Sequence, residues 1–492
     1  MEESETIISK GEVAVAEPRR KGWLGYLWEP YVWLAMLARE LHGSFVFGVV
    51  VVYGISQGLG GAFYRIVSEY YWKDVQMVQP SAAQVYQGIT SIPWVVKPVW
   101  GLLTDVLPVA GYQRRPYFIL AGFMGLISIL VISLHSMMPI FITVMLLMAA
   151  TGGVAIADVI MDACIAKNSI NYPQLASDIQ SLCGMSSSIG ALIGFSTSGV
   201  AVHLLGAQGA LGLLCIPAIM LLFLGFILYE PRLTNYAKKQ NLLEATQSMW
   251  KALKCPEVWR PSLYMYISLA MSLNIQEGKF YWYTDPKAGP AFSQEYVGII
   301  FSIGSMGSLL GVLVYHKVLK DYSFHSLLFW AQLLFGISGM LDLIMVLRMN
   351  LKLGIPDYFF VIIDESSFHI INRIKWMPML VLSAKLCPSG IEGTFFALLM
   401  SIDNIGLLSS SWGGGMLLHL LNVTRTDFRN LWLAILIRNV MRVLPLVMLF
   451  LVPKTDQSST LLPPELTQSS DATETCEEEN IQLVSTIQNN QV

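Results

Sequence analysis

The sequence predicts an all-α, polytopic membrane protein. Three observations lead there. Only 13% of the 492 residues are charged and 54% are hydrophobic, whereas soluble domains carry about 25% charged residues. The apolar residues form long continuous runs, which suit helices and exclude the short alternating strands of a closed β-barrel. The polar stretches between the runs are short, so few loops are left for a soluble domain. Net charge is −3, which gives no reason to expect a nucleic-acid partner.

A membrane helix needs about 20 mostly apolar residues. On that measure twelve spans are expected: 31–58, 82–104, 116–134, 138–166, 178–203, 208–229, 261–283, 294–315, 323–347, 357–384, 391–420 and 431–452. The 357–384 span is the most polar, with Asp364, Glu365, His369, Asn372, Arg373 and Lys375, and must face protein or water if it crosses. The longest interior polar segment, 230–260, divides the spans six and six and reads as a linker with a short amphipathic helix. This is the layout of a two-bundle transporter of the major facilitator type. The expected organisation is an arm at 1–30, a bundle at 31–229, the linker, a bundle at 261–453, and an acidic Ser/Thr/Gln-rich tail at 454–492 expected to be disordered.

Charge orients the chain. With the N-terminus inside, the inner segments hold 17 Lys and Arg and the outer loops eight, Arg65 among the latter. The bias places both termini in the cytoplasm. The acidic start, with Glu2, Glu3 and Glu5, fits neither a signal peptide nor a transit peptide, so plastid import is disfavoured. The six cysteines are dispersed and show no metal spacing or disulfide framework.

Charged residues inside spans are functional candidates because hydrocarbon penalises them. Lys97, Arg39 and Arg373 would suit an anionic, carboxylate-bearing solute. Asp158 and Asp162, four residues apart in one span, share a helix face. Two carboxylates there cannot both ionise cheaply, so one is a candidate proton carrier. Around the second loop, KPVWGLLTDVLPVAGYQRRP carries Asp105 at a helix end and the pair Arg114–Arg115, a gating arrangement in which the aspartate meets a basic residue and locks one conformer. Glu392, after Pro388 and Gly390, reads as a helix-start residue. Arg438 and Arg442 fit buried counter-ions or snorkelling side chains equally, and Lys375 is expected at the interface. The KFYWYTD run (279–285) is expected to be an interfacial aromatic belt, and SWGGG (411–415) a site of close helix packing. No nucleotide-binding loop, nucleophile–base set or metal cluster is recognisable, so neither ATP-driven transport nor an enzyme is expected, and no cofactor.

The blocks KPVWGLLTDVLPVAGYQRRPYF (97–118), the stretch ending at Asp162–Ala163, QSLCG (180–184) and KLCPSGIEGTFFALLMSIDN (385–404) resemble the folate-biopterin transporter family, a branch of the major facilitator superfamily, and its plant members in particular. The similarity runs over about 30–450. It implies transport of folates or pterins coupled to protons, with Lys97, Asp105, Arg114, Arg115, Asp162 and Glu392 as the matching positions in this chain. Gly184 stands where a tryptophan is expected and Lys167 where an acid is common, which leaves the cargo open. A transporter of another organic anion or metabolite, or a transport-inactive receptor or scaffold, fits the same pattern. A monomer among membrane lipids is expected, with the solute and protons as its partners.

Overall fold

A computed structural model describes residues 23–135, 138–232, 249–387 and 392–455. The described chain is helical apart from one isolated bridge between Val109 and Tyr112. Eight stretches are long and apolar enough to cross a membrane. They are Gly43–Val75, Arg115–Leu134, Ile140–Ser169, Ala176–Ile227, Gln294–Leu319, Phe324–Val346, Phe395–Leu420 and Leu431–Leu451.

The difference from twelve has local causes. Ala176–Ile227 is 52 residues long and breaks at Gly206, whose φ of 69° and ψ of 165° only glycine adopts readily. The expected 82–104 span is three short helices, Pro80–Thr90, Ile92–Val95 and Lys97–Val106. They part at Ser91 and Val96, each two residues before a proline, which lacks the N–H of a continuous helix. The expected 261–283 span is Pro256–Ala270 followed, after a break, by Gln276–Tyr283. Asp357–Lys385 is one unbroken helix, and its charged residues keep it below an apolar threshold.

The first span also moves. Helix Trp23–Glu40 ends before His42, a residue with φ of 74° whose ring accepts from the Ser44 N–H and starts the next helix. The crossing stretch then runs on to Val75, through π-helical turns at Val50–Gly60 and Tyr71–Val75. Arg65, Ser68 and Glu69 stay helical there because that face packs against protein rather than lipid or water.

Three apolar cores hold the molecule. One draws on both ends of the sequence, with Tyr70, Trp72, Phe280 and Trp282 among its members. A second contains only residues between Leu37 and Leu228, and a third only residues between Ala252 and Val452. The two parts of the chain therefore share a core in one region and keep separate cores elsewhere. Glycines set the seam. A Cβ on Gly298 would lie 2.9 Å from the Phe195 carbonyl oxygen, and one on Gly415 2.8 Å from that of Ser81. Gly413 and Gly414 press on Leu273 and Asn274, so SWGGG is a site of close packing, as its small residues suggest.

Candidate functional site

Lys97 opens the short helix after the break at Val96, which frees its side chain to turn inward. Its ammonium pairs with Asp158 and lies 3.5 Å from Asp162. Those two carboxylates sit one turn apart on the long Ile140–Asn171 helix, the spacing that places them on one face. The Tyr53 hydroxyl donates to Asp162, and the Gln57 amide donates to Asp158 at 2.5 Å. Tyr53 and Gln57 come from the π-helical segment, where a widened turn often marks a functional position. The Lys97 ammonium also lies 5.4 Å from the Trp94 ring centroid, close enough for a cation–π contact.

The electrostatics follow from counting. One cation faces two carboxylates, so one negative charge is in excess when both are ionised. The Asp158 side chain is 6% exposed and that of Asp162 50%. Asp162 is therefore the more exposed member, while Asp158 and Lys97 form the sheltered pair. Sequence spacing identified Lys97, Asp158 and Asp162 separately, and the fold brings them together. Tyr53 and Gln57 carried no sequence signal, because a tyrosine and a glutamine in an apolar run are ordinary. The pairing also changes the expectation for Lys97, whose charge is already engaged by carboxylates.

The other candidates lie apart from this cluster. Arg39 is exposed in the last turn of Trp23–Glu40, ahead of the first crossing stretch, because the chain turns at His42. It does not meet Lys97. Arg373 is half-buried in Asp357–Lys385, its Nε has no hydrogen-bond partner, and no carboxylate among the described residues pairs with it. Asp105 belongs to helix Lys97–Val106 and Glu392 begins helix Glu392–Leu420, but both side chains lie outside the described set. Arg114 donates through Nη1 to the Ile160 carbonyl at 3.1 Å, and Arg115 through Nη2 to the Phe226 carbonyl at 2.8 Å. The unanticipated partner is Glu230. Its carboxylate accepts the backbone N–H groups of Gln113 at 2.7 Å and Arg115 at 3.0 Å, with that of Arg114 between them. An anion there meets the exposed N–H groups at the start of helix Arg115–Leu134. In this conformation Arg114 and Arg115 tie the start of helix Arg115–Leu134 to helices Ile140–Asn171 and Cys215–Ile227.

A second ionic cluster lies in the C-terminal part. Asp342 accepts from Arg438 at 2.6 Å and pairs with Lys279. All three side chains are buried. Glu365 and His369 lie 3.2 Å apart one turn along Asp357–Lys385. Lys375 and Arg442 stack on Phe335 at 4.4 and 4.2 Å from its centroid. These contacts revise two expectations and decide a third. Lys375 is buried, not interfacial; Phe280–Tyr283 are core residues, not a lipid-facing belt; and Arg438, open between counter-ion and snorkelling side chain, is a buried counter-ion. Lys279, the first residue of that aromatic run, is buried with them. A cavity of about 240 Å³ lies within the N-terminal part, lined by Ser56, Tyr64, Trp94, Thr151 and Pro217 among others.

Residues 57–465 match the BT1 family model. The chain belongs to the BT1 family. Among curated relatives, this BT1 chain is 57% identical over 464 residues to "Probable folate-biopterin transporter 2" of Arabidopsis thaliana, covering 93% of each chain. It is 30% identical over 394 residues to the "Folate-biopterin transporter" of Synechocystis sp., covering 80% of this chain and 78% of that one. Among solved structures, a POT family transporter in complex with 5-aminolevulinic acid superposes with a TM-score of 0.64 at 14% identity, covering 85% of this chain and 97% of that one. The D-xylose-proton symporter gives 0.59 at 16% identity, covering 87% and 100%. The fold of this BT1 member is that of the major facilitator-like transporters, and the chain is a multi-pass integral membrane protein rather than an enzyme. Among the described residues no group of His, Cys, Asp and Glu is arranged to hold a metal ion.

Proposed function

We propose that this protein is a secondary active transporter of folates or pterins, driven by protons through alternating access. The observation that carries the reading is Lys97 held between Asp158 and Asp162 with one carboxylate in excess. Protonation of the accessible Asp162 would cancel that excess and loosen the hold on Lys97, whose ammonium would then meet the carboxylate of an anionic cargo. Loss of the proton would restore the ion pair and expel the anion. Binding of proton and substrate is thereby linked, which is what coupling requires. Arg373, half-buried and without a carboxylate partner among the described residues, would supply a second cation from the other part of the chain, while Arg39 is left with no place in the cavity. The relatives' names support folate and biopterin as the cargo class.

The architecture in this reading is two bundles of six, 31–229 and 261–453, joined by 230–260. Counting Ala176–Ile227 as two crossings and adding Pro80–Val106, Pro256–Tyr283 and Asp357–Lys385 gives twelve. Both termini lie in the cytoplasm. Removing Arg65 from the outer loops strengthens the positive-inside bias that supports this orientation. The protein works as a monomer. Asp105, Arg114, Arg115 and Glu392 act at the inner ends of helices, where the cavity would open and close.

Uptake by purified protein in proteoliposomes tests the reading. Labelled folate or biopterin should accumulate when the source side is acidified, and a protonophore should abolish the gain. Competition by unrelated anions, with folate inert, would assign another organic anion as cargo. Binding without net flux would make the protein a receptor or scaffold.

A further inference from the structure

We propose that Glu69 and Glu277 form a second proton-binding site, at the junction between the two parts of the chain, and that its proton holds that junction closed. The inference rests on the transporter reading for its direction but not for its evidence. Glu69 lies on the crossing stretch Gly43–Val75 and Glu277 in the first turn of Gln276–Tyr283. The two helices meet through side chains, the rings of Tyr70 and Phe280 standing edge to face at 4.8 Å. Glu69 is 3% exposed and Glu277 2%. Each leaves Oε2 without a hydrogen-bond partner, and neither forms an ion pair among the described residues.

The cations near them, Arg65 and Lys279, form no ion pair with either carboxylate. Arg65, one turn before Glu69, places its guanidinium 5.0 Å from the Phe301 ring centroid. Lys279, two residues after Glu277, pairs with Asp342. Across from them, Glu365 on Asp357–Lys385 holds His369. Further titratable neighbours are Tyr64 and Tyr70 on the Glu69 helix, both with hydroxyls lacking a partner, and Tyr281 on the Glu277 helix, whose hydroxyl donates to the Val78 carbonyl at 3.2 Å. The nearest polar groups are amides. The Glu277 N–H donates to the Gln84 carbonyl oxygen at 3.1 Å, and the Gln87 amide donates to the Ser68 hydroxyl at 2.7 Å.

Two buried neighbouring carboxylates with no ion-paired counter-ion among the described residues carry a desolvation cost and mutual repulsion that the nearby charge of Arg65 only partly offsets. Neutral carboxyl groups carry neither. The closed junction is therefore the conformation of the protonated pair. Losing the proton puts charge into a seam shared by two moving bodies, and the seam relieves it by opening to water. The same seam is clasped at its rim, where Arg425 donates through Nη1 to the Met77 carbonyl and through Nη2 to the Lys73 carbonyl, both at 2.9 Å. Those neutral acceptors keep their bonds at any pH, so the carboxyl pair is the part of the junction that senses protons.

The test reads distance rather than transport. Spin labels at M77C and T426C, adjacent across the rim, would be followed in detergent without substrate between about pH 5 and pH 8. A parallel sample without the two introduced cysteines supplies the background. The parent should hold a short distance in acid and gain a long-distance population as pH rises. E69Q/E277Q, with neutral side chains of the same shape, should keep the short distance throughout. A double variant that opens with pH as the parent does would overturn the proposal, and so would a parent whose distance ignores pH, a result that needs no carboxyl substitution to fold. Failure of folate uptake, with this response intact, would count against the cargo assignment alone.

Discussion

Arg438 donates to Asp342 across 2.6 Å in the interior of the C-terminal part, and Lys279 closes on the same carboxylate from another helix. One carboxylate thus bridges two cations, and three helices depend on it. Buried ion pairs are costly to break because the remaining partner stays in low dielectric. Asp342→Asn should therefore lower stability by about 3–5 kcal/mol, seen as a lower thermal unfolding midpoint in detergent. Arg438→Met should cost less, because Lys279 still serves the carboxylate. Equal effects from both would contradict this account.

Asp162→Asn should uncouple uptake from the proton gradient. Acidifying the source side would no longer raise the rate, while exchange of labelled for unlabelled substrate would continue. Lys97→Ala should cut uptake at least about tenfold, a barrier change of about 1.4 kcal/mol, because two carboxylates then share the site without a cation. Adding Asp158→Asn should recover part of the folded yield but not the uptake. Full activity in Lys97→Ala would remove that residue from the substrate role.

Glu230 satisfies backbone N–H groups that otherwise begin helix Arg115–Leu134 unpaired. Glu230→Ala should cost about 1 kcal/mol, the usual worth of such a cap. The local reading is faster amide hydrogen exchange over residues 113–118. Unchanged protection there would mean that water replaces the carboxylate at no cost.

Gly298→Val should express and insert yet fail in uptake. A Cβ at this position meets the Phe195 carbonyl and the Gly199 nitrogen on a helix of the other part, so the side chain would wedge the seam rather than disturb either part's own core. Normal uptake by this variant would show that the seam need not close so tightly during the cycle.

Much of this was legible from the chain. The membrane class followed from the scarcity of charge, and the apolar runs located most helices. Asp158 and Asp162 were marked as a pair because helical spacing is a local property. Legibility failed where polarity was answered by distant residues. Lys279 follows an apolar run and precedes a polar loop, so local context placed it at the surface, whereas Asp342 and Arg438 hold it inside. Glu69 looked like a loop residue for the same reason, and the first span was drawn too early because its second half contains Arg65 and Glu69. Arg39 erred the other way, set in a span by apolar neighbours although the chain turns three residues later.

The sequence alone determined that the chain is helical and membrane-spanning, and which few ionisable residues would be costly enough to matter. Those conclusions rest on composition and on a fixed helical repeat, and need no knowledge of what packs against what. Only the tertiary structure decided that Lys97 is already paired, that Tyr53 and Gln57 complete its site, that Glu230 serves a helix start, and that two carboxyls meet unpaired at the junction. A charge in low dielectric has its state set by partners within a few ångströms, and in this chain those partners lie far off in sequence, on other helices.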